Sequence, residues 1–339
     1  LLFENGSLQA LMAIHVDDLK ITAPPPVVER IIKVLEATFG KLIIQWHSFT
    51  NCGVRHVQCP KSYKIVLDQF EYITALKQMP GRTTSTSRSA QPMAVKQDDQ
   101  VSCNAADILP TASFEQFRSL RGAVAYCLLT RADVSAYVVA LQRLQEGQTS
   151  WTHVKALNQV VRRLQGRPLA LTFESLGPET CFLVFSDAAF RKEESTGHAL
   201  KGTVIVRVAK VQPTAADSLQ RTRDGYANVL PEKTVFKCHL VEFNTKRVRN
   251  VTRSTFSAEL FALCDACDHA MMLRVIVHEF QAGALSAAQG RDLREGTLQS
   301  PVSLGVIIDA MSVYAATTAN HIKIPAEKGL LSHLQYVRE

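Results

Sequence analysis

The order of apolar runs in the second half of the chain is the strongest constraint on its fold. After "LALTFE" come "CFLVFSDAAF", "HALKGTVIVRV" and, past a polar stretch of about thirty residues, "CHLVEFN", all strand-like. A long apolar helix follows from Thr255 to about Phe280. A Gly-, Ala- and Gln-rich connection then leads to a strand, "SLGVIID", and a helix, "AMSVYAATTAN". Three strands, a helix, a strand and a helix close one sheet with helices packed on it, which predicts a mixed α/β sheet domain over residues 171–339.

Three acids occupy costly places in that pattern. Asp187 ends the apolar strand "FLVFSD", Glu259 lies near the start of the long helix, and Asp309 ends "GVIID". Carboxylates at the ends of core strands are costly unless paired, hydrated or bound to metal. Each alone also reads as a cap, since Asp after a strand is a good helix N-cap. As a set they can converge at one sheet edge. Converging carboxylates can hold two divalent ions about 3.5–4 Å apart, which activate a water and stabilise the leaving oxygen in phosphodiester hydrolysis.

The first half carries a second acidic feature. In "AIHVDDLKITAP" the adjacent Asp17 and Asp18 fall at the bend of a strand–turn–strand pattern. They read either as a solvated acidic turn or as a carboxylate pair that a hard divalent cation neutralises. "PPPVVERIIKVLEATFGKL" has helical spacing at Val28, Ile31, Ile32, Leu35 and Phe39, with prolines before it and Gly40 after. Alternation through Val54 and Val57, a turn at Pro60 and a resumption at Tyr63, Ile65 and Leu67 predict further strands, helical from Asp68. Residues 80–113 are rich in Pro, Ser, Thr, Asp and Arg and read as a linker or surface loop. Residues 114–170 are helical in pattern, ended by Gly166 and Pro168.

With 46% hydrophobic and 20% charged residues in 339, the chain has the composition of a soluble globular protein with two or three modules. Its net charge of +7 favours a polyanionic partner such as nucleic acid. The cluster "KRVRNVTR" (Lys246, Arg247, Arg249, Arg253) and the group Lys155, Arg162 and Arg163 read as phosphate contacts or as solvated faces. No apolar run reaches the roughly 18 residues that span a bilayer, and no secretory leader pattern is present, so an intracellular protein is expected. A start at Leu1 and an end on "LQYVRE" predict a piece of something longer. Of eight cysteines only Cys264 and Cys267 form a C-x-x-C. With no second ligand pair in view, they read as core groups on one helix face.

Several motifs, in order, resemble those of copia-type retrotransposon polyproteins. "FRSLRGAVAYCLLTRADVSAYVVALQRL" is similar to the family's "YRSLIGSLLYLTTRPDIAFAVSLLSR" segment, and "HVKALNQVVRRLQG" to "HWKAAKRILRYLKG". "FSDAAF" with "STGHAL" resembles "YSDADWAG" with "STSGYVF", "STFSAELFAL" resembles "SSTEAEYIAL", and "HVDDLKI" resembles the "YVDDIL" motif of reverse transcriptase. The likeness runs from Asp17 to Asp309.

It implies the end of a reverse transcriptase palm (1–79), a linker (80–113), a helical thumb or connection (114–170) and a ribonuclease H-like domain (171–339). Asp17 and Asp18 then match the paired polymerase aspartates, and Asp187, Glu259 and Asp309 the first three ribonuclease H carboxylates. The implied cofactor is Mg²⁺, with Mn²⁺ as an alternative. The implied partners are an RNA template, DNA, RNA–DNA hybrids and the rest of the polyprotein, with no membrane. A decayed or domesticated relative that binds nucleic acid or a protein without catalysis is the rival reading. Three departures stand out: Leu331 falls where the family has a fourth acid, His15 replaces an aromatic before "VDD", and Val211 to Lys237 is longer than the family's turn. Glu327 is the nearest acid that could stand in for the fourth.

Overall fold

Strand alternation and proline placement shape the first elements. β1 (Leu2–Glu4), β2 (Ser7–His15) and β3 (Asp18–Thr22) form an antiparallel sheet, followed by α1 (Pro25–Phe39). Proline in the first turn of α1 presets φ for a helix and removes an amide that has no helical partner there. Gly40 ends the helix at φ +83°, a conformation open mainly to glycine. The computed structural model describes residues 2–5, 7–80, 107–177, 179–193, 198–209, 237–322 and 324–338.

β4 (Ser48–Asn51), β5 (Val54–Gln58) and β6 (Ile65–Asp68) follow, with Tyr63 outside the strand at φ +56° and Asp68 ending β6 rather than opening the helix, α2 (Phe70–Ala75). Gly53 turns the chain between β4 and β5 at φ +66°, and a Cβ there would lie 2.9 Å from the Tyr126 ring. The helical part comprises α3 (Thr111–Tyr126), α4 (Ser135–Gln142) and α5 (Trp151–Gly166). Its core gathers Phe117, Val134, Leu157, Val160, Val161 and Leu164, all fully buried.

Two expectations about boundaries shift. The 80–113 stretch, of which 81–106 lie outside the described residues, is anchored at both ends. The buried Asn158 side chain bonds both backbone groups of Met79, at 3.0 and 2.8 Å, and the Leu109 amide donates to the Thr149 carbonyl at 2.8 Å. Helix α3 already begins at Thr111, because Pro110 is well suited to precede a helix but not to sit inside one. β7 (Leu171–Phe173), placed in the second domain by its position in sequence, pairs instead with β6 (Ile65↔Phe173) and completes the β4-β5-β6-β7 sheet. The free edge of β6 supplies the partner that a three-residue strand needs.

The second sheet has the order β10-β9-β8-β11. β8 (Thr180–Glu193), β9 (His198–Ala209) and β10 (Cys238–Arg247) are antiparallel, and β11 (Ser303–Ile308) lies parallel to β8. A parallel neighbour requires a crossover, and α6 (Thr255–Ala282) provides most of it. Ser254 caps α6 by accepting from the Ser257 amide at 3.1 Å. Ala258, Ala262, Ala266 and Ala270, four residues apart, form a buried stripe that lets α6 approach the sheet closely. Phe182, Val184 and Ile205 pack beneath Ala266 and Ala270.

α7 (Ala287–Arg294) occupies the Gly-, Ala- and Gln-rich connection, and α8 (Met311–Thr318) and α9 (Leu331–Arg338) pack against α6 around Leu260, Val313 and Leu334. The protein is thus of the α/β class. Among the described residues no helix is long and apolar enough to cross a membrane. The long stretch between β9 and β10, residues 210–236, lies outside the described residues.

Among the described residues Arg131 is the largest fully buried side chain. Its guanidinium donates to Asp133 Oδ1 at 2.8 Å, to Asp133 Oδ2 at 3.0 Å and to the Leu164 carbonyl at 3.0 Å. Arg163 adds a bond to Asp133 at 3.3 Å, so this arginine belongs to the fold's ion-pair network rather than to a free basic face. Removing one partner of a buried pair strands the other charge at a cost of about 3–5 kcal/mol. Asp133→Asn is expected to cost about 3 kcal/mol, the low end of that range, because the Asp133 side chain is 24% exposed. Urea denaturation checks this, and a loss below about 1 kcal/mol would contradict it.

Candidate metal centre

Strand register assembles the site. Ile308 of β11 stands opposite Ser186 of β8, so the next residues, Asp309 and Asp187, lie side by side; Asp309 follows the end of β11, whereas Asp187, expected to end its strand, sits within β8, which pairing with β9 carries on to Glu193. Parallel strands are about 4.8 Å apart, which fixes the spacing of the two backbones. Helix α6, capped at Ser254, carries Glu259 in its second turn. One ligand oxygen from each of Asp187, Glu259 and Asp309 lies within 4.8 Å of the others, and among the described residues no other group of three or more His, Cys, Asp or Glu is arranged to hold a metal ion.

The three carboxylates differ in environment. Asp187 and Asp309 are exposed, whereas Glu259 is 7% exposed. The Ala188 amide donates to Glu259 Oε2 at 3.1 Å. Burial first, then the Asp187 charge, pushes the Glu259 carboxyl up to about 7; the Ala188 amide opposes this and the Asp309 charge adds to it. Such a cluster carries excess negative charge that a cation relieves. Three hard oxygen donors suit Mg²⁺ or Mn²⁺ over thiophilic metals, so the set fits a divalent ion, whose identity the geometry leaves open.

Asp17 and Asp18 lie at the exposed tip of the β2–β3 hairpin, where His15 pairs with Asp18 across the turn. Val16 holds φ +55°, a strained conformation for a β-branched side chain. Among the described residues no third metal-binding side chain joins this pair. Glu327 does not enter the Asp187 cluster; its Oε1 accepts from Ser254 Oγ at 3.3 Å, at the start of α6. Leu331 opens α9 and contributes no polar atom.

Cys264 and Cys267 are free thiols of α6, and burial raises them to about 12 and about 11, as expected of core groups. Lys246, Arg247, Arg249 and Arg253 are exposed, and the first three line a cavity together with Lys201. Lys201 escaped the sequence reading, although a lysine between Leu200 and Gly202 inside an apolar strand was a visible irregularity. No family model matches the chain, and no curated protein matches it either.

In the unfolded chain Glu259 titrates near 4.5. Between about pH 4.5 and 7 the unfolded chain has released this proton while the folded chain retains it, so stability falls as pH rises through that window. A shift of this size corresponds to about 3 kcal/mol. Thermal melts in chelator are expected to show this decline, Glu259→Gln to flatten it, and added Mg²⁺ to restore stability more at pH 8 than at pH 5. An unchanged slope in Glu259→Gln contradicts the assignment.

Proposed function

We propose that this chain is the reverse transcriptase–ribonuclease H region of a copia-type retroelement polyprotein, and that its nuclease cuts the RNA strand of RNA–DNA hybrids. The observation that carries the reading is the convergence of Asp187, Glu259 and Asp309 from two parallel strands and one helix. The ordered motifs from "HVDDLKI" to "GVIID" support it. Bound Mg²⁺ supplies charge stabilisation and an activated water for phosphodiester hydrolysis.

The chain's own groups divide the work. Asp187 and Asp309 offer exposed oxygens that would hold the ion. Glu259 is buried and tied to the Ala188 amide, so its position is fixed before substrate arrives. The hybrid is recognised by its shape and by the 2′-hydroxyls of the RNA strand. On this reading the protein works inside the cell, on nucleic acid and beside the remainder of the polyprotein.

Asp17 and Asp18 are the polymerase pair on this reading. Without a third carboxylate among the described residues they hold an incomplete site. Positioning is most of phosphoryl-transfer catalysis, so residues 1–339 are expected to extend no primer on an RNA template. Measurable extension would overturn that statement.

A second reading is a relative that binds nucleic acid without cutting it. Leu331 at the fourth acid position favours it, as does the engagement of Glu327 with Ser254. Hybrid cleavage measured against Mg²⁺ separates the two. The nuclease is expected to lose at least about 100-fold in rate in Asp187→Asn or Asp309→Asn, a loss of the order seen when a transition-state contact is removed. Leu331→Asp is expected to lower the Mg²⁺ requirement. No cleavage by any of these proteins, Leu331→Asp included, leaves the binding-only reading.

A further inference from the structure

Glu174 sits where the β4-β5-β6-β7 sheet is joined to the second sheet. It follows β7, the last strand of the first, and precedes β8 of the second. Its carboxylate pairs with Lys64 at 2.8 Å, just ahead of β6, and with Lys237 at 3.7 Å, just ahead of β10. Its backbone amide donates to Nε2 of His239, on β10, at 3.1 Å. The His239 ring also meets the Phe173 ring edge to face, with centroids 5.1 Å apart. Main chain and side chain of one residue thus tie the first sheet to the edge strand of the second.

The amide bond sets the state of the imidazole. A ring nitrogen that accepts an amide proton carries none itself, so His239 is neutral with its proton on Nδ1. A protonated ring has two donors and no acceptor, and the Glu174 amide then loses its partner. Two charges act on the ring: Arg207, its direct cross-strand neighbour on β9, and the Glu174 carboxylate. Arg207 is itself anchored, its Nε donating to Thr180 Oγ1 at 2.9 Å. Farther along β10, α6 sets His269 against Glu242 at 2.5 Å and α4 sets Ser135 against Thr245 at 2.9 Å. Burial, first, holds His239 below the usual histidine value of 6.5; the Glu174 backbone opposes this, Arg207 adds to it, and the Glu174 charge opposes it again. The Lys64 hydrogen bond and charge, then the Lys237 charge, hold the Glu174 carboxyl below its ordinary range. As pH falls from neutrality, His239 therefore takes up a proton while Glu174 stays ionised.

We propose that His239 is a proton-sensitive latch between the two sheets: the neutral ring holds the Glu174 amide and keeps the β7–β8 connection against β10, and protonation releases that amide and loosens the junction. Neither the metal centre nor hydrolysis enters this device. The sign follows from the depressed value in the closed form. The latch is fully held above about pH 6.5, where an open ring is neutral too, and its hold is lost as pH falls from there through the closed-form value.

Hydrogen exchange of the Glu174 amide in the full chain, corrected for the intrinsic rate and followed from about pH 5 to 8, tests the latch. Protection is expected to be level above about pH 7 and to fall below it by up to about tenfold per pH unit, because opening takes up one proton. His239→Gln retains an acceptor that does not titrate, so the amide is expected to stay protected without the fall. Arg207→Gln removes a charge that keeps the ring neutral and is expected to shrink the fall. His269→Gln, which alters the bond to Glu242 elsewhere on β10, is the control and should leave the fall in place. Protection that does not vary with pH in the wild-type chain, or a fall that persists in His239→Gln, overturns the latch. An imidazole titration of the wild-type chain by NMR needs no variant to fold: a His239 midpoint below 6.5 agrees with the latch, and one at or above it overturns it.

Discussion

The parallel pairing of β11 with β8 is the constraint from which the candidate site follows. Ser303 stands opposite Cys181 and Ile308 opposite Ser186, without a break in register. A slip of one residue would turn the side chains of β11 to the opposite face and separate Asp309 from Asp187. Such pairing between strands more than a hundred residues apart needs a crossover that returns the chain to the correct edge. Helix α6 does this while its alanine stripe, from Ala258 to Ala270, lies close on the sheet. The same close approach brings Glu259 down to the Ala188 amide. Backbone pairing, helix packing and carboxylate convergence are therefore one arrangement, and Glu259 could not occupy its place with a bulkier stripe.

That arrangement leaves like-charge repulsion, among anions in one place and among cations in another, on two neighbouring rows of the sheet. On one row, Asp187 adds to burial in pushing the Glu259 carboxyl up to about 7. On the next, Lys201 and Lys246 face one another directly. Asp265 answers one charge of the cationic row, and the Ala188 amide donates to Glu259 beside the anionic one. A folded chain tolerates such local costs where a ligand offsets them.

Much of this was legible in the residues because the signals were local. The strand, helix and strand order around Asp187, Glu259 and Asp309 follows from apolar periodicity, and the hairpin at Asp17 and Asp18 from uninterrupted apolar flanks. What was missed depended on contacts far away in sequence. The three residues of β7 carry no information about which sheet they join; their partner β6 lies more than a hundred residues upstream. Helix α7 has an apolar content too low for a periodic signal, and it is held by the Ser286 and Gln289 capping pair. Arg163 looked like part of a basic face until folding placed it against Asp133. Lys201 became significant only when β10 set Lys246 opposite it.

The departure at Leu331 acquires a physical meaning in this setting. A carboxylate there would project from the first residue of α9, the helix end where partial positive charge favours an anion. Leu331 supplies none. Glu327 lies just ahead of that helix, but its carboxylate is held by Ser254, the residue that also caps α6. Moving Glu327 toward Asp187 would break that bond and release the Ser254 hydroxyl, so recruitment of Glu327 is opposed by the start of the helix that carries Glu259. The anionic cluster consequently has three members among the described residues, Asp187, Glu259 and Asp309.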